Sequence, residues 1–77
     1  MRIKADTSRL SKKIGKRLRY LREARGWSLE DVARKLNPRR TRATVHKWET
    51  GLVEIPIEFV PGFARLYGIN PNEFLEL

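Results

Sequence analysis

The sequence predicts an all-α fold, a compact bundle of five short helices. Three observations predict it. Apolar residues recur three or four positions apart, which is the spacing of one face of an α-helix, and no stretch alternates as a strand does. Residues that begin helices, such as Ser28, and residues that end them, such as Gly26 and Gly68, occur at short intervals. A chain of 77 residues has enough length for one small core and a single domain.

The first predicted helix follows a short basic arm, residues 1–7, so that the folded domain covers residues 8–77. We expect the helix to begin between residues 6 and 8, where Asp, Thr and Ser all provide good N-caps. The apolar positions of one face are Leu10, Ile14, Leu18 and Leu21. Gly26 is expected to end the helix in a left-handed conformation.

The second and third predicted helices have clear boundaries. Ser28 with Asp31 resembles a capping box at the start of the second helix. Asn37-Pro38 ends that helix, because the residue before proline avoids the α region. The third helix runs from an N-cap at Thr41 to Thr50-Gly51.

The last two predicted helices lie in the C-terminal third of the chain. The fourth covers roughly 57–67 and ends at Gly68. Because Pro61 is tolerated best in a first turn, its regular part is expected to start near Val60. The fifth covers residues 71–77 and carries apolar Phe74, Leu75 and Leu77.

Charge is distributed unevenly along the chain, whose net charge is +8. Residues 1–50 hold sixteen Lys and Arg against five Asp and Glu, a net +11, whereas residues 51–77 hold one base and four acids, a net −3. The basic majority favours a polyanion as partner, and the acidic, apolar end favours packing or a protein partner. A merely solvated surface is the alternative.

Several function classes are not expected. No apolar run approaches the ~20 residues of a membrane helix, and the basic N-terminus lacks the apolar segment of a secretory signal, so we expect a cytoplasmic protein. Cysteine is absent and histidine occurs once, so we expect no metal site. With no glycine-rich phosphate loop either, we expect no cofactor and no catalysis.

The second helix, the turn and the third helix form a candidate helix-turn-helix. Such a unit inserts its second helix into the DNA major groove and holds the back of that helix against the core. Val45 and Trp48 form the inward face of the third helix. Thr44 lies at the margin, and the outward positions are Arg42, Ala43, His46 and Lys47.

Four runs resemble the phage-repressor/Cro-type (Xre-like) helix-turn-helix family. They are Ile14–Arg19 with Leu21-Arg22, Gly26–Ala33, Thr44–Gly51, and, after Pro56, Phe63–Ile69. The resemblance covers about residues 10–77. It implies a five-helix domain that binds double-stranded DNA, usually as a homodimer on a palindromic operator.

The resemblance also assigns roles to residues. Arg42, Ala43 and His46 would face base edges, and Lys47 would reach a phosphate or a base. Thr41 would cap the recognition helix and touch the DNA backbone. Glu49 would support the following loop rather than touch DNA. Further backbone contacts are expected from Lys12, Lys13, Ser28, Arg39, Arg40 and Thr44.

The chain departs from the family in two places. Leu29 stands where the family often has a glutamine that bonds the DNA backbone or the recognition helix, although the amides at this helix start can still bind a phosphate. The stretch from Leu36 to Trp48 is about two residues longer than usual, so Asn37 to Arg40 must absorb the excess.

Alternatives stay open for several residues. We expect Trp27 and Trp48 in the core, with base stacking as the alternative, and His46 either facing DNA or simply solvated. Leu75 and Leu77 are candidates for a dimer interface, while Phe74 is expected to pack on its own core.

Two other functions compete with that of a DNA-binding regulator. One is a protein-interaction module such as an antitoxin, whose acidic C-terminal segment meets a basic partner. The other is non-specific binding of RNA or a membrane surface through the basic first helix.

Overall fold

The computed structural model describes the backbone of residues 3–74 and the side chains of residues 9–73. Within these residues the fold is all-α, as predicted. The helices are α1 (Ile3–Ala24), α2 (Leu29–Lys35), α3 (Arg42–Thr50) and α4 (Val60–Tyr67). Two 3₁₀ segments, Ile57–Phe59 and Pro71–Phe74, lie before and after α4.

The start of α1 differs from the prediction. The helix is already formed at Ile3, so residues 3–7 continue α1 instead of preceding it as an arm, and the predicted start between residues 6 and 8 is wrong. Adding a residue to an existing helix gains one hydrogen bond at little cost, and neither Gly nor Pro interrupts this segment. A capping residue therefore does not by itself start a helix. Residues 1 and 2 lie outside the described part of the chain.

The predicted fifth α-helix is a 3₁₀ segment, Pro71–Phe74, so the described chain has four α-helices. Asn70 organises this segment locally, because its side-chain oxygen accepts a hydrogen bond from the Asn72 amide at 3.0 Å. So short a segment makes too few hydrogen bonds to offset the cost of nucleating an α-helix. The predictions for Leu75 and Leu77, and for the Phe74 side chain, fall outside the described residues.

The core lies between the C-terminal half of α1 and the other three helices. A chain of aromatic contacts runs through it: the Trp48 ring centroid lies 5.1 Å from that of Phe59 and 5.8 Å from that of Phe63, and Tyr67 stacks between Phe63 and Trp27. Trp48 lies in the core as predicted, whereas Trp27 is half-buried and packs against the edge of the core. Buried aliphatic side chains complete the core: Leu18, Leu21, Val32, Leu36 and Val45.

Helix starts and stops follow the sequence signals closely. Ser28 Oγ accepts a hydrogen bond from the Asp31 amide, and the Asp31 carboxylate accepts one from the Ser28 amide, which completes the predicted capping box. Thr41 caps α3 by accepting from the Thr44 amide at 3.2 Å. Gly51 ends α3 at a φ of 77°, a left-handed conformation that glycine adopts without steric cost.

Helices α1 and α3 approach each other unusually closely because a glycine lies between them. A Cβ atom on Gly15 would stand 2.6 Å from the Trp48 carbonyl oxygen and closer still to that of Glu49. A Cβ on Gly51 would meet the Lys12 side chain at 2.6 Å. These two contacts set the position of the C-terminal end of α3 against α1.

Candidate nucleic-acid interface

Helix α3 presents one face to the core and the opposite face to solvent. Val45, Trp48 and Glu49 are buried, and Thr44 is half-buried at the margin. The exposed positions are Arg42, Ala43, His46, Lys47 and Thr50. The structure thus brings every predicted base-contacting residue to one solvent-facing side of a single helix.

The N-terminal turn of α3 suits an anion. It contains no acidic residue, and it begins with exposed Arg42. The Thr41 and Thr44 hydroxyls lie 3.0 Å apart, so both are held at the helix start. The positive end of a helix dipole favours negative charge, and a guanidinium adds a forked set of donors at the same place.

A buried ion pair fixes the C-terminal half of α3. The Glu49 carboxylate accepts two hydrogen bonds from the Arg22 guanidinium, Nε to Oε2 at 2.8 Å and Nη2 to Oε1 at 3.0 Å. The remaining Arg22 nitrogen, Nη1, donates to the Trp27 carbonyl at 2.9 Å. The Glu49 side chain is only 4% exposed. The hydrogen bond to Glu49 raises the pKa of Arg22 above its usual value, so the guanidinium stays charged at physiological pH.

This pair changes the interpretation of two residues. Arg22 is one of the basic residues between the apolar positions of the first predicted helix, but it is committed to the protein interior and is not an exposed cation. Glu49 acts from inside the fold, in keeping with the supporting role that the resemblance implied. No local pattern signals the pair, because its members are 27 residues apart.

A groove opens between α1 and α3 on the side where α3 faces solvent. We call it the basic groove; its volume is about 470 Å³. Lys12, Lys16 and Arg19 line it from α1, Leu29 from the start of α2, and His46 and Thr50 from α3, with Arg22 and Glu49 also in its lining. Lys13 is exposed but does not line this groove, since it lies about 100° around α1 from Lys12.

Lys16, Arg19 and Thr50 are not among the residues that the sequence predicted to contact DNA. A signal for the first two was present: Lys12, Lys16 and Arg19 follow the i, i+4, i+7 spacing of one helix face. For Thr50 the signal was that it follows Ala43 by seven residues, which places both on the same face of α3. What the sequence did not show is that these two faces border the same groove.

The turn between α2 and α3 holds its two arginines differently. Arg39 is exposed. The Arg40 guanidinium lies over the Phe59 ring, 4.7 Å from its centroid, and the Arg40 amide donates to the Ala33 carbonyl. The turn therefore absorbs its extra length by packing back onto the core.

The N-terminus of α2 is already occupied by its own acids. The Ser28 backbone amide donates to the Asp31 carboxylate, and this hydrogen bond lowers the pKa of Asp31 below its usual value. Glu30 lies in the same turn. The predicted contact of Ser28 with the DNA backbone is thus left to its hydroxyl group, which accepts from the Asp31 amide and still has a proton to donate.

A second groove lies on the other side of α1 and is apolar. We call it the apolar groove; its volume is about 500 Å³. Its lining includes Leu10, Ile14, Ile55, Ile57, Val60 and Phe63, with Glu54 at its edge. Leu10 shares the predicted apolar face of α1 with Ile14, Leu18 and Leu21, but it is 41% exposed because it borders this open groove and not the core.

Side chains 9–73 contain no group of three His, Cys, Asp or Glu residues that could hold a metal ion. None of the helices between residues 3 and 74 has the length and hydropathy needed to cross a membrane.

The fold and the exposed face of α3 define a helix-turn-helix domain, with α2 as its first helix and α3 as its second. A comparison with protein families supports the assignment independently: the helix-turn-helix domain model matches residues 13–77. The chain therefore belongs to the helix-turn-helix domain family, which agrees with the resemblance seen in its sequence and supports DNA binding. Searches of curated proteins and of solved structures found no match.

Proposed function

We propose that the protein is a sequence-specific regulator of transcription that binds double-stranded DNA with α3 in the major groove. One observation carries the proposal: the buried face of α3 is held by Val45, Trp48 and the Arg22–Glu49 pair, while its opposite face is polar, basic and exposed. A recognition helix needs this combination, because base contacts discriminate only when the helix that makes them is held rigidly.

Each outward residue has a role in this proposal. Arg42 donates two hydrogen bonds to guanine O6 and N7, Ala43 contacts a thymine methyl group, and His46 reaches a neighbouring base edge. Phosphates are contacted by Lys47, Thr41 and Thr44 near α3, and by Lys12, Ser28, Arg39 and Arg40 around it. A regulator of this kind acts in the cytoplasm, and at the nucleoid if the cell is prokaryotic.

The test is enrichment sequencing from a pool of random duplex DNA, followed by anisotropy measurements on the enriched site. We expect an enriched motif whose affinity falls steeply as the salt concentration rises. Arg42→Ala should weaken the enriched site about ten-fold or more and random DNA far less, since a bidentate base contact contributes about 1–3 kcal/mol of discrimination. Arg34→Ala, which removes an exposed arginine from the far end of α2, is the matched control.

Equal loss on both DNAs with Arg42→Ala would remove the base-contacting role of Arg42. Strong binding without any enriched motif would replace the regulator with an architectural protein. Absence of binding at low salt would overturn the proposal.

We also propose that two copies of the chain bind the operator as a homodimer joined at the apolar groove. Ile57 is 82% exposed at the edge of this groove, so it can enter the groove of a second copy while the partner's Ile57 enters the first. The edges carry opposite charges: Glu54 and Glu58 lie beside Ile57, and Lys13 lies one turn from Leu10 on α1. Around a two-fold axis, the acidic edge of each copy faces the basic edge of the other copy.

Sedimentation equilibrium tests the dimer with two matched variants. Ile57→Ser should weaken association at least about ten-fold, as expected for the loss of a buried apolar side chain worth about 1.5–3 kcal/mol. Leu52→Ser changes another strongly exposed apolar residue, one that does not line the groove, and should leave association unchanged. A monomer at all concentrations would contradict the dimer and would favour a different protein in the groove, as in an antitoxin.

A further inference from the structure

We propose that Arg40 and Phe59 form a clamp that positions the first turn of the recognition helix α3, and that discrimination between DNA sequences depends on this clamp. Arg40 is then a positioning residue: besides the phosphate that the proposed function gives it, its guanidinium holds the turn that precedes α3. The inference rests on the proposed function and deepens it, because it names what keeps the base-contacting residues Arg42 and Ala43 in place.

The first turn of α3 lacks support from the core. Every residue from 37 to 43 is exposed, and the first buried side chain of α3 is that of Val45. The cap at Thr41 is local, since its partner is the Thr44 amide three residues further along the chain. Neither feature fixes the turn against the rest of the fold, so a contact with another element is needed.

Arg40 makes that contact. Its backbone amide donates a hydrogen bond to the Ala33 carbonyl of α2 at 3.1 Å. Its guanidinium lies over the Phe59 ring, 4.7 Å from the ring centroid, which is within the range of a cation–π contact. Its Nη1 donates to the Arg39 carbonyl at 3.1 Å, which restricts the orientation of the group. The residue immediately before the N-cap of α3 is thus tied to α2 by its backbone and to the segment before α4 by its side chain.

Phe59 is a firm support for this guanidinium. Its side chain is only 4% exposed, and its ring centroid lies 5.1 Å from that of Trp48 on α3. The Phe59 amide donates to the Pro56 carbonyl at 2.9 Å, which orders the 3₁₀ segment around it. Phe59 therefore contacts α3 from within the core, through Trp48, and holds the approach to α3 from outside, through Arg40.

The clamp lies in the stretch in which this chain is longer than usual. The turn between α2 and α3 contains about two additional residues, and without a contact this added length would leave the first turn of α3 free to shift. Arginine suits the contact because its planar guanidinium stacks on a ring, whereas the ammonium of lysine is a compact point charge. A phosphate contact needs only the charge of Arg40, so the two roles can be separated by experiment.

The first experiment measures affinity for the enriched site and for random duplex with variants that keep the net charge. Arg40→Lys keeps a cation for the phosphate but loses the planar stacking, and Phe59→Leu removes the ring. We expect each variant to lower the ratio of the two affinities about three-fold to five-fold, the size of a partly exposed contact between a guanidinium and a ring, with the salt dependence unchanged. The double variant should lose no more than the larger single loss, because both changes break the same contact.

Two matched variants serve as controls, and circular dichroism first confirms that all variants are folded. Arg39→Lys makes the same change at the neighbouring exposed arginine, and Tyr67→Leu removes another buried ring from the same core, one that lines neither groove. Both should keep the wild-type ratio. Because Phe59 lies near Ile57 at the proposed dimer contact, agreement between Phe59→Leu and Arg40→Lys is what assigns the effect to the clamp.

Amide hydrogen exchange provides a second test that needs no DNA. The amides of Thr44 and Val45 donate to the hydroxyl and to the carbonyl of Thr41, so their exchange reports opening of the first turn of α3. In Arg40→Lys and Phe59→Leu we expect both amides to exchange about three-fold to five-fold faster, relative to amides in the second half of the same helix.

The outcomes separate the two proposals. If wild-type protein selects no motif, the proposed function fails, and discrimination by the clamp fails with it. If a motif is selected but Arg40→Lys and Phe59→Leu keep the wild-type ratio, or the exchange of the two amides is unchanged, the proposed function stands and the clamp is refuted. Equal weakening of both DNAs by Arg40→Lys would leave Arg40 as a phosphate contact and would refute its positioning role.

Discussion

The two grooves beside α1 are similar in size and opposite in chemistry. The basic groove is bordered by Lys12, Lys16 and Arg19, and the apolar groove by Leu10 and Ile14. The two sets are displaced by two residues, which is about 200° around a helix, so they emerge on opposite sides of one element. One long helix therefore separates a face suited to nucleic acid from a face suited to protein.

The two grooves also differ in how they are supported. The basic groove contains the buried Arg22–Glu49 pair, whereas the apolar groove borders the buried core residues Leu18 and Phe63. We expect polar substitutions to disturb the first groove and changes in packing between α1 and α3 to disturb both.

The largest effect is expected from Glu49→Gln, which breaks the polar support of the basic groove. It leaves the Arg22 guanidinium buried without a counter-charge, and removing one partner of such a pair costs about 3 kcal/mol or more. Urea unfolding at neutral pH measures the loss. Glu58→Gln, at an exposed position, is the control and should change stability by less than about 0.5 kcal/mol. Equal effects would show that the Arg22–Glu49 pair is dispensable.

Gly15→Ala should have the next largest effect, because Gly15 lies in α1, the helix that both grooves share, and contacts α3. The added methyl group meets the Trp48 and Glu49 carbonyl oxygens, which belong to backbone and cannot give way without moving α3. Overpacking of this kind costs about 1–3 kcal/mol. Gly62→Ala is the matched control: its Cβ meets nothing within 4 Å, so it should stabilise α4 by up to about 1 kcal/mol. Opposite signs in thermal unfolding are expected, and a stabilising Gly15→Ala would contradict the close approach.

Ser28→Ala is expected to have a smaller effect, confined to the start of α2, where Leu29 borders the basic groove. The substitution removes the acceptor for the Asp31 amide, a loss that costs about 1 kcal/mol. Thermal unfolding of the variant and the wild type measures this loss of stability. Unchanged stability would mean that solvent replaces the cap completely.

The smallest effect concerns pH. Hydrogen bonds from Ser28 lower the pKa of the exposed Asp31 carboxyl group, so its contribution to stability is fully present above the usual aspartate pKa and is lost as pH falls through the lowered value. We expect Asp31→Ala to lower the melting temperature at neutral pH and to match the wild type once both are in strong acid. A difference between the two proteins that persists unchanged in strong acid would contradict the charged cap.

Predictions from sequence succeeded where the interactions are local. The sequence predicted where three helices start: α2 after Ser28, α3 after Thr41, and α4 at Val60 with Pro61 in its first turn. Each of these starts depends on residues within one helical turn. The predictions failed at the chain ends. The capping signals near residue 6 gave way to a longer helix, and residues 71–74 form only a 3₁₀ segment.

The candidate site divides in the same way. The outward residues of α3 follow from helical periodicity alone, and all of them are exposed as predicted. The role of Arg22 and the exposure of Leu10 did not follow, because both depend on which elements pack against α1. Lys12 and Lys13 were equivalent in sequence, and only the groove distinguishes them.

The sequence by itself determined the all-α class, the boundaries of α2 and α3, the concentration of positive charge and the face of α3 that contacts solvent. Tertiary structure alone decided that Arg22 meets Glu49, that Gly15 lets α1 and α3 touch, and that the cations of α1 continue the exposed face of α3. The physical reason is distance along the chain. Caps and helical faces depend on interactions within a few residues, whereas the ion pair and the grooves depend on packing between segments that only the folded core brings together.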